Sequence, residues 1–165
     1  MTEKIALERA QLLAKEFCGK INRFCEKILV VGSVRRQKPL VHDVDIVVIP
    51  KAGGGALDIL IWMKKQSDIG TRIKKLGSKM VSITYQGIPI DLYFATPETW
   101  WTLVLIRTGT REHNIKMCLE AKKKGWTLHA DGQGLSDEQG EKIEVNSEEE
   151  FFEKLGLAYK FPEER

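Results

Sequence analysis

Residues 32–45 read GSVRRQKPLVHDVD, and the apolar runs on either side, KILVV at 27–31 and IVVIP at 46–50, mark them as the crossing between two short strands. The stretch joins two opposite chemistries, because arginines suit an anion and paired aspartates suit a cation. A metal-bound triphosphate is both. Residues two apart along a strand share a face, so Asp43 and Asp45 point one way while Val44, Ile46 and Val48 point the other. The carboxylates therefore lie on a face that is not core.

Downstream, MVSITYQGIPIDLYF at 80–94 alternates on both sides of Gln86-Gly87, the pattern of a hairpin with a two-residue turn. In its second arm Ile88, Ile90, Leu92 and Phe94 make an apolar face, and Asp91 falls on the opposite one with Pro89 and Tyr93. If the two strands neighbour each other in one sheet, three carboxylates converge. Like charges so close repel unless a cation compensates, and hard oxygen ligands of this kind suit Mg²⁺ or Mn²⁺. Two such ions sharing the ligands suit phosphoryl transfer, which asks for a phosphate cradle close by. Gly32-Ser33 offers one: glycine after a strand lets the backbone approach a ligand, and the amides that follow point at an anion. Arg36 would add charge-assisted hydrogen bonds to phosphate oxygens, and Arg35 either does the same or is structural.

The remainder of the chain sets bounds. Its 165 residues suffice for one core or two small lobes, with the composition of an ordinary globular protein rather than a disordered or collagen-like one. No apolar run is long enough to span a bilayer, and MTEKIALERAQ lacks a signal-peptide profile, so a cytoplasmic, nucleoid-associated or viral location is expected, with no membrane partner. Cys18, Cys25 and Cys118 form no CxxC pair and meet no histidines at metal-finger spacing, so they read as reduced thiols. Net charge is only +3, yet residues 1–130 hold 22 basic against 12 acidic side chains, and residues 131–165 hold 4 against 11. A basic body with an acidic tail fits a polyanion held on one part of the surface.

Along the chain, Ala10, Leu13, Phe17, Ile21 and Phe24 predict an amphipathic helix over 3–26. AGGGALDILIWMKK predicts a loop and then a helix, and WWTLVLIRTGT with REHNIKMCLEAKKKGW predicts two helices around a Thr-Gly-Thr break. SEEE at 147–150 is a capping-box signature opening a short helix. There are no repeats.

GSxRR, a spacer, then DxDIV resembles the nucleotidyltransferase pattern in the form found in family X DNA polymerases, the DNA polymerase beta group. TGTREHNIKMCLEAKKKGWTL resembles the thumb of that family, and LGLAYKFPEER resembles its closing segment. The likeness spans about residues 5–165 and implies an α+β fold. A palm with a mixed or antiparallel sheet and helices on one face is expected over 1–97, followed by a small, mainly helical thumb with a short β-hairpin over 98–165.

By the same resemblance, Asp43, Asp45 and Asp91 bind two Mg²⁺ ions, with Mn²⁺ as a substitute, and Asp91 completes the site that activates the primer 3′-hydroxyl. Gly32, Ser33 and Arg36 hold the triphosphate of a dNTP, beside His42. Ile106, Arg107, Gly109, Thr110, Arg111 and Asn114 surround the incoming nucleotide, the Gly109-Thr110 step matching one that is often cis in this family. Lys116, Cys118, Lys122, Lys123 and Lys124 face DNA, with Arg72, Lys74, Lys75 and Lys79 as further grip; lysine runs are otherwise solvated helix faces. Trp100, Trp101 and Trp126 read as core rather than as platforms for bases.

This chain departs from the family at Ile106 and Arg107, where an aromatic pair is usual, and at Arg111, which replaces an acidic residue. Cys118, Pro89 and His42 replace two arginines and a glycine, respectively. The properties at stake are ribonucleotide exclusion, checking of base-pair shape and support of the metal carboxylates. Only one helix precedes the palm, so the lyase and helix-hairpin-helix segments of longer members are expected to be absent, as in the reduced palm-and-thumb layout known from a large DNA virus. The resemblance implies a minimal polymerase, a monomer by default, filling short gaps in primer-template DNA. The alternatives are template-independent nucleotidyl transfer and a catalytically silent DNA-binding module.

Overall fold

The structure, a computed structural model, describes residues 4–65 and 71–165. The chain divides into two compact units, Met1–Thr96 and Pro97–Arg165.

In the first unit, β1 (Ile5–Ala6) leads into helix α1 (Leu7–Ile21), then a single 3-10 turn and β2 (Cys25–Val30). A short helix α2 (Gly32–Arg35) and β3 (Leu40–Val41) precede β4 (Val44–Pro50) and helix α3 (Gly55–Lys65). Three strands complete the unit: β5 (Arg72–Leu76), β6 (Met80–Tyr85) and β7 (Ile88–Phe94). The main sheet runs β2-β4-β7-β6-β5, with β4 and β7 parallel and the other pairs antiparallel.

One face of this sheet is core. Phe17 and Ile21 from α1 and Ile59 and Met63 from α3 pack with Ile46, Val48, Ile83, Ile90 and Leu92 from the strands, all of them essentially inaccessible. Phe17 meets Trp62 and Tyr85 edge-on, with centroids 5.8 and 5.3 Å away. Truncating such a side chain costs about 3–5 kcal/mol, so Phe17→Ala would cripple the unit. The helical stripe expected over 3–26 is therefore real, but it ends at Ile21, and Ile5–Ala6 leave it to pair with Leu40–Val41. That two-residue ladder was not visible in the periodicity.

The hairpin expected at 80–94 forms β6 and β7. Gln86 and Gly87 take φ of +48° and +81°, the left-handed pair that a two-residue turn between right-twisted strands demands. With Tyr85 opposite Ile88, every later pairing follows, including Ser82 opposite Asp91.

The second unit holds α4 (Trp100–Thr108), α5 (Arg111–Lys123), β8 (Thr127–His129), β9 (Gly134–Ser136), β10 (Lys142–Ile143) and α6 (Glu148–Leu155). Its small sheet has three antiparallel strands rather than the two of the expected hairpin, since Lys142–Ile143 returns along Leu135–Ser136. Leu105, Ile106, Met117, Ala121, Leu128, Leu135, Phe151, Phe152 and Leu155 form the core. The SEEE signature holds: Ser147 Oγ accepts from the Glu150 amide at 3.0 Å, and Gly156 ends α6 in the left-handed region. Trp100 is buried, whereas Trp101 and Trp126 lie partly buried against the core.

All three cysteines are free, and burial pushes the thiol of Cys18 up to about 12 and that of Cys25 up to about 11. No helix among the described residues is long and apolar enough to cross a membrane.

Candidate active site

The alternation read from the sequence places the carboxylates. Val44, Ile46 and Val48 are fully buried, so Asp43 and Asp45 turn to the opposite, partly exposed face. Parallel pairing sets Asp45 directly across from Asp91 and Ile46 across from Leu92, so the two aspartates are neighbours on one face while their successors share the core. Asp43, just before β4, completes the group. Burial, and after it the neighbouring Asp91, pushes the Asp43 carboxyl above the usual range, with His42 and Arg36 pulling it back. The proximity of Asp43 and Asp91 is thus felt as charge repulsion.

Hydroxyl donors answer two of the three carboxylates. Ser82 Oγ donates to Asp91 Oδ1 at 2.6 Å, and the Tyr93 hydroxyl donates to Asp45 Oδ1 at 3.3 Å. Among the described residues, no three acidic, histidine or cysteine side chains close into a ready-made metal cage. The donor set nevertheless fits hard divalent cations: three carboxylates gathered on one face of two adjacent strands, one of them raised by burial and then by a neighbouring carboxylate.

The anion side of the site abuts the cation side. The Val31 amide donates to the Asp45 carbonyl at 2.8 Å, which fastens the end of β2 to β4. Gly32 follows at φ +64°, and a Cβ there would collide with the Asp45 carboxylate, standing 2.8 Å from its Cγ. Glycine is required twice over, by the left-handed backbone and by the close approach. The next side chain, Ser33, has its Oγ buried with no hydrogen-bond partner, a donor that the fold itself leaves unused. Arg36 is half-buried, and burial lowers its affinity for its proton while Asp45 and Asp43 restore it. Gly32, Ser33, Arg36, Asp43, Asp45 and Asp91 are thereby brought together in the first unit. His42 beside them is exposed.

The residues expected around the nucleotide in the second unit are arranged differently. Ile106 is 5% exposed and lies in the core, its carbonyl accepting from Asn114 Nδ2 at 2.8 Å. Asn114 thus ties α5 back to α4. Thr110 caps α5, its hydroxyl accepting from the His113 amide at 3.3 Å. A Cβ on Gly109 would meet both Asn114 and His113, so this glycine lets the two helices close. No described peptide bond is cis, the Gly109-Thr110 bond included. Arg107 is partly buried and Arg111 exposed.

Of the residues expected at DNA, Lys116, Lys122, Lys123 and Lys124 are exposed on or just beyond α5. Lys123 pairs with Glu120 at 2.8 Å, and Lys124 lies over the Trp126 ring at 5.6 Å. The Cys118 thiol turns to the Leu128 carbonyl at 3.6 Å.

The family model for the DNA polymerase beta thumb matches residues 103–165. The repair DNA polymerase X of African swine fever virus (isolate Warthog/Namibia/Wart80/1980) is 27% identical over 171 residues, which cover 99% of this chain and 95% of that protein. Residues 103–165 match that thumb family, and nearly the whole chain is similar to the repair DNA polymerases X. The DNA polymerase/3′-5′ exonuclease PolX of Bacillus subtilis is also 27% identical over 99% of this chain, which corresponds to 29% of that longer protein. The fold matches Leishmania infantum polymerase beta in a ternary gap complex, with a TM-score of 0.84 at 20% identity, covering 99% of this chain and 71% of that one.

Sequence reasoning missed Ser82, Tyr93 and His113. The first was within reach, because counting outward from the Gln86-Gly87 turn sets Ser82 opposite Asp91. His113 was not, since nothing in the sequence marks as buried a histidine whose ring packs 5.8 Å from Phe152. Burial holds its imidazole below the usual range. The buried ion pair of Arg165 with Glu148 was likewise invisible from sequence.

Proposed function

We propose that the chain is a DNA-directed DNA polymerase that adds deoxynucleotides to a primer 3′-hydroxyl and fills short gaps in repair. One observation carries this reading: the parallel register of β4 and β7, which sets Asp45 opposite Asp91 beside the Gly32-Ser33 turn. The names of the relatives, repair DNA polymerase X among them, support it.

Asp43, Asp45 and Asp91 would hold divalent cations, Mg²⁺ in the first place with Mn²⁺ as a substitute. When bound, such ions lower the pKa of an attacking hydroxyl and neutralise a leaving pyrophosphate. The remaining residues handle the triphosphate. Gly32 admits a phosphate close to the backbone, and the buried Ser33 hydroxyl is a donor in want of an acceptor. Arg36, flanked by Asp45 and Asp43, supplies the charge that a phosphate oxygen pairs with. The exposed lysines of α5 suit salt-sensitive, sequence-independent contact with a DNA backbone.

A second reading, untemplated addition, draws on Cys118, whose thiol is turned to a backbone carbonyl and offers no cation to a duplex. Supplying each dNTP and rNTP singly on a one-nucleotide gap and on an unpaired 3′ end separates the two. Addition only of the base complementary to the template supports gap filling; addition irrespective of the template assigns the chain to terminal transfer.

A further inference from the structure

Asp91 makes one side-chain hydrogen bond among the described residues, the 2.6 Å bond donated by Ser82. Its neighbours on the same face of β7 give it no other: Pro89 has no donor, and the Tyr93 hydroxyl is directed to Asp45. Ser82 is held to this task by its strand, because Val81 and Ile83 on either side are fully buried in the core and antiparallel pairing sets Ser82 across from Asp91.

We propose that Ser82 is the positioning residue for Asp91, occupying Oδ1 and thereby fixing the carboxylate so that its other oxygen is presented to a divalent cation. An unheld aspartate beside Asp43 and Asp45 would swing away from like charge. A neutral hydroxyl holds it without adding a competing charge. Outer-sphere hydrogen bonds of this kind are worth about 10–100-fold in metal affinity or activity. The inference rests on the polymerase reading for its metal site, and its test keeps the two apart.

The test is a titration of the protein with Mn²⁺ alone, followed by electron paramagnetic resonance, beside single-nucleotide incorporation and a thermal melt. Ser82→Ala is expected to bind Mn²⁺ about tenfold or more weakly and to lower kcat with KM for the dNTP unchanged, while melting near the wild type. Ser82→Thr, which keeps the hydroxyl, is expected to restore both. If Ser82→Ala does not fold, Ser82→Cys, a weaker donor, takes its place with the same expected loss.

Unchanged or tighter Mn²⁺ binding by the hydroxyl-free variant, or failure of Ser82→Thr to restore it, would overturn the inference. Asp91→Ala in the same titration discriminates. If it loses Mn²⁺ affinity and Ser82→Ala does not, only the role of Ser82 falls. If Asp91→Ala binds Mn²⁺ like the wild type, the metal reading falls and the Ser82 inference falls with it.

Discussion

The two units carry their functional residues in opposite ways. In the palm, a strand keeps core and chemistry on separate faces, so Ile46 and Leu92 are buried while Asp45 and Asp91, one residue earlier, face each other on the far side. In the thumb, the residues expected at the nucleotide also hold the fold together: Ile106 is core, Thr110 is a helix cap, and Asn114 bonds the Ile106 carbonyl. A period of two separates tasks; helices packed through a tight Gly-Thr break share them. Substitutions of the palm carboxylates should therefore remove activity with little loss of stability, and those of Ile106, Thr110 and Asn114 in the thumb should cost stability first.

The sharpest way to break this contrast in the palm is Gly32→Ala. Its Cβ would press on the Asp45 carboxylate and its backbone would be strained at φ +64°. Incorporation is expected to drop about 100-fold, with about 1–2 kcal/mol of stability lost to the left-handed backbone. A variant as active as the wild type would mean that the close approach of Gly32 to Asp45 has no part in the chemistry.

Asn114→Ala examines the other side. It removes the bond to Ile106 and leaves a part-buried carbonyl unmet. A loss of about 1 kcal/mol is expected, read as a fall of about 2–4 °C in Tm. An unchanged Tm with impaired incorporation would show that Asn114 serves the nucleotide alone and would erase the distinction between the units.

The smallest effect concerns the thiols. With Cys18 at about 12 and Cys25 at about 11, both raised chiefly by burial, little thiolate exists at pH 8. Maleimide labelling of the folded palm is expected to be about tenfold or more slower than in urea. Fast labelling of Cys18 in the folded protein would show that α1 opens readily.

How much of this was legible in the sequence follows from the same contrast. The carboxylate face, the Gln86-Gly87 turn and the Gly32-Ser33 cradle were readable, because alternation and turn chemistry are local. The adjacency of β4 and β7 was not: it is a parallel pairing of segments more than forty residues apart, and only the family resemblance supported it. The short ladders Ile5–Ala6 with Leu40–Val41, and Lys142–Ile143 with Leu135–Ser136, escaped notice because two residues carry no period. Ile106 escaped differently. Its place in the motif points to a nucleotide, but an isoleucine on an apolar helix face goes to the core.

The central claim is that the paired aspartates of β4 and β7 are the catalytic centre of a template-directed polymerase. Its most direct test is single-turnover incorporation into a one-nucleotide gap with Mg²⁺, comparing the wild type with Asp91→Ala. The account predicts addition of the template-matched nucleotide by the wild type and a loss of about 10³-fold, some 4 kcal/mol of transition-state stabilisation, in the variant. Equal incorporation by both proteins, or none by the wild type with either Mg²⁺ or Mn²⁺, would contradict it.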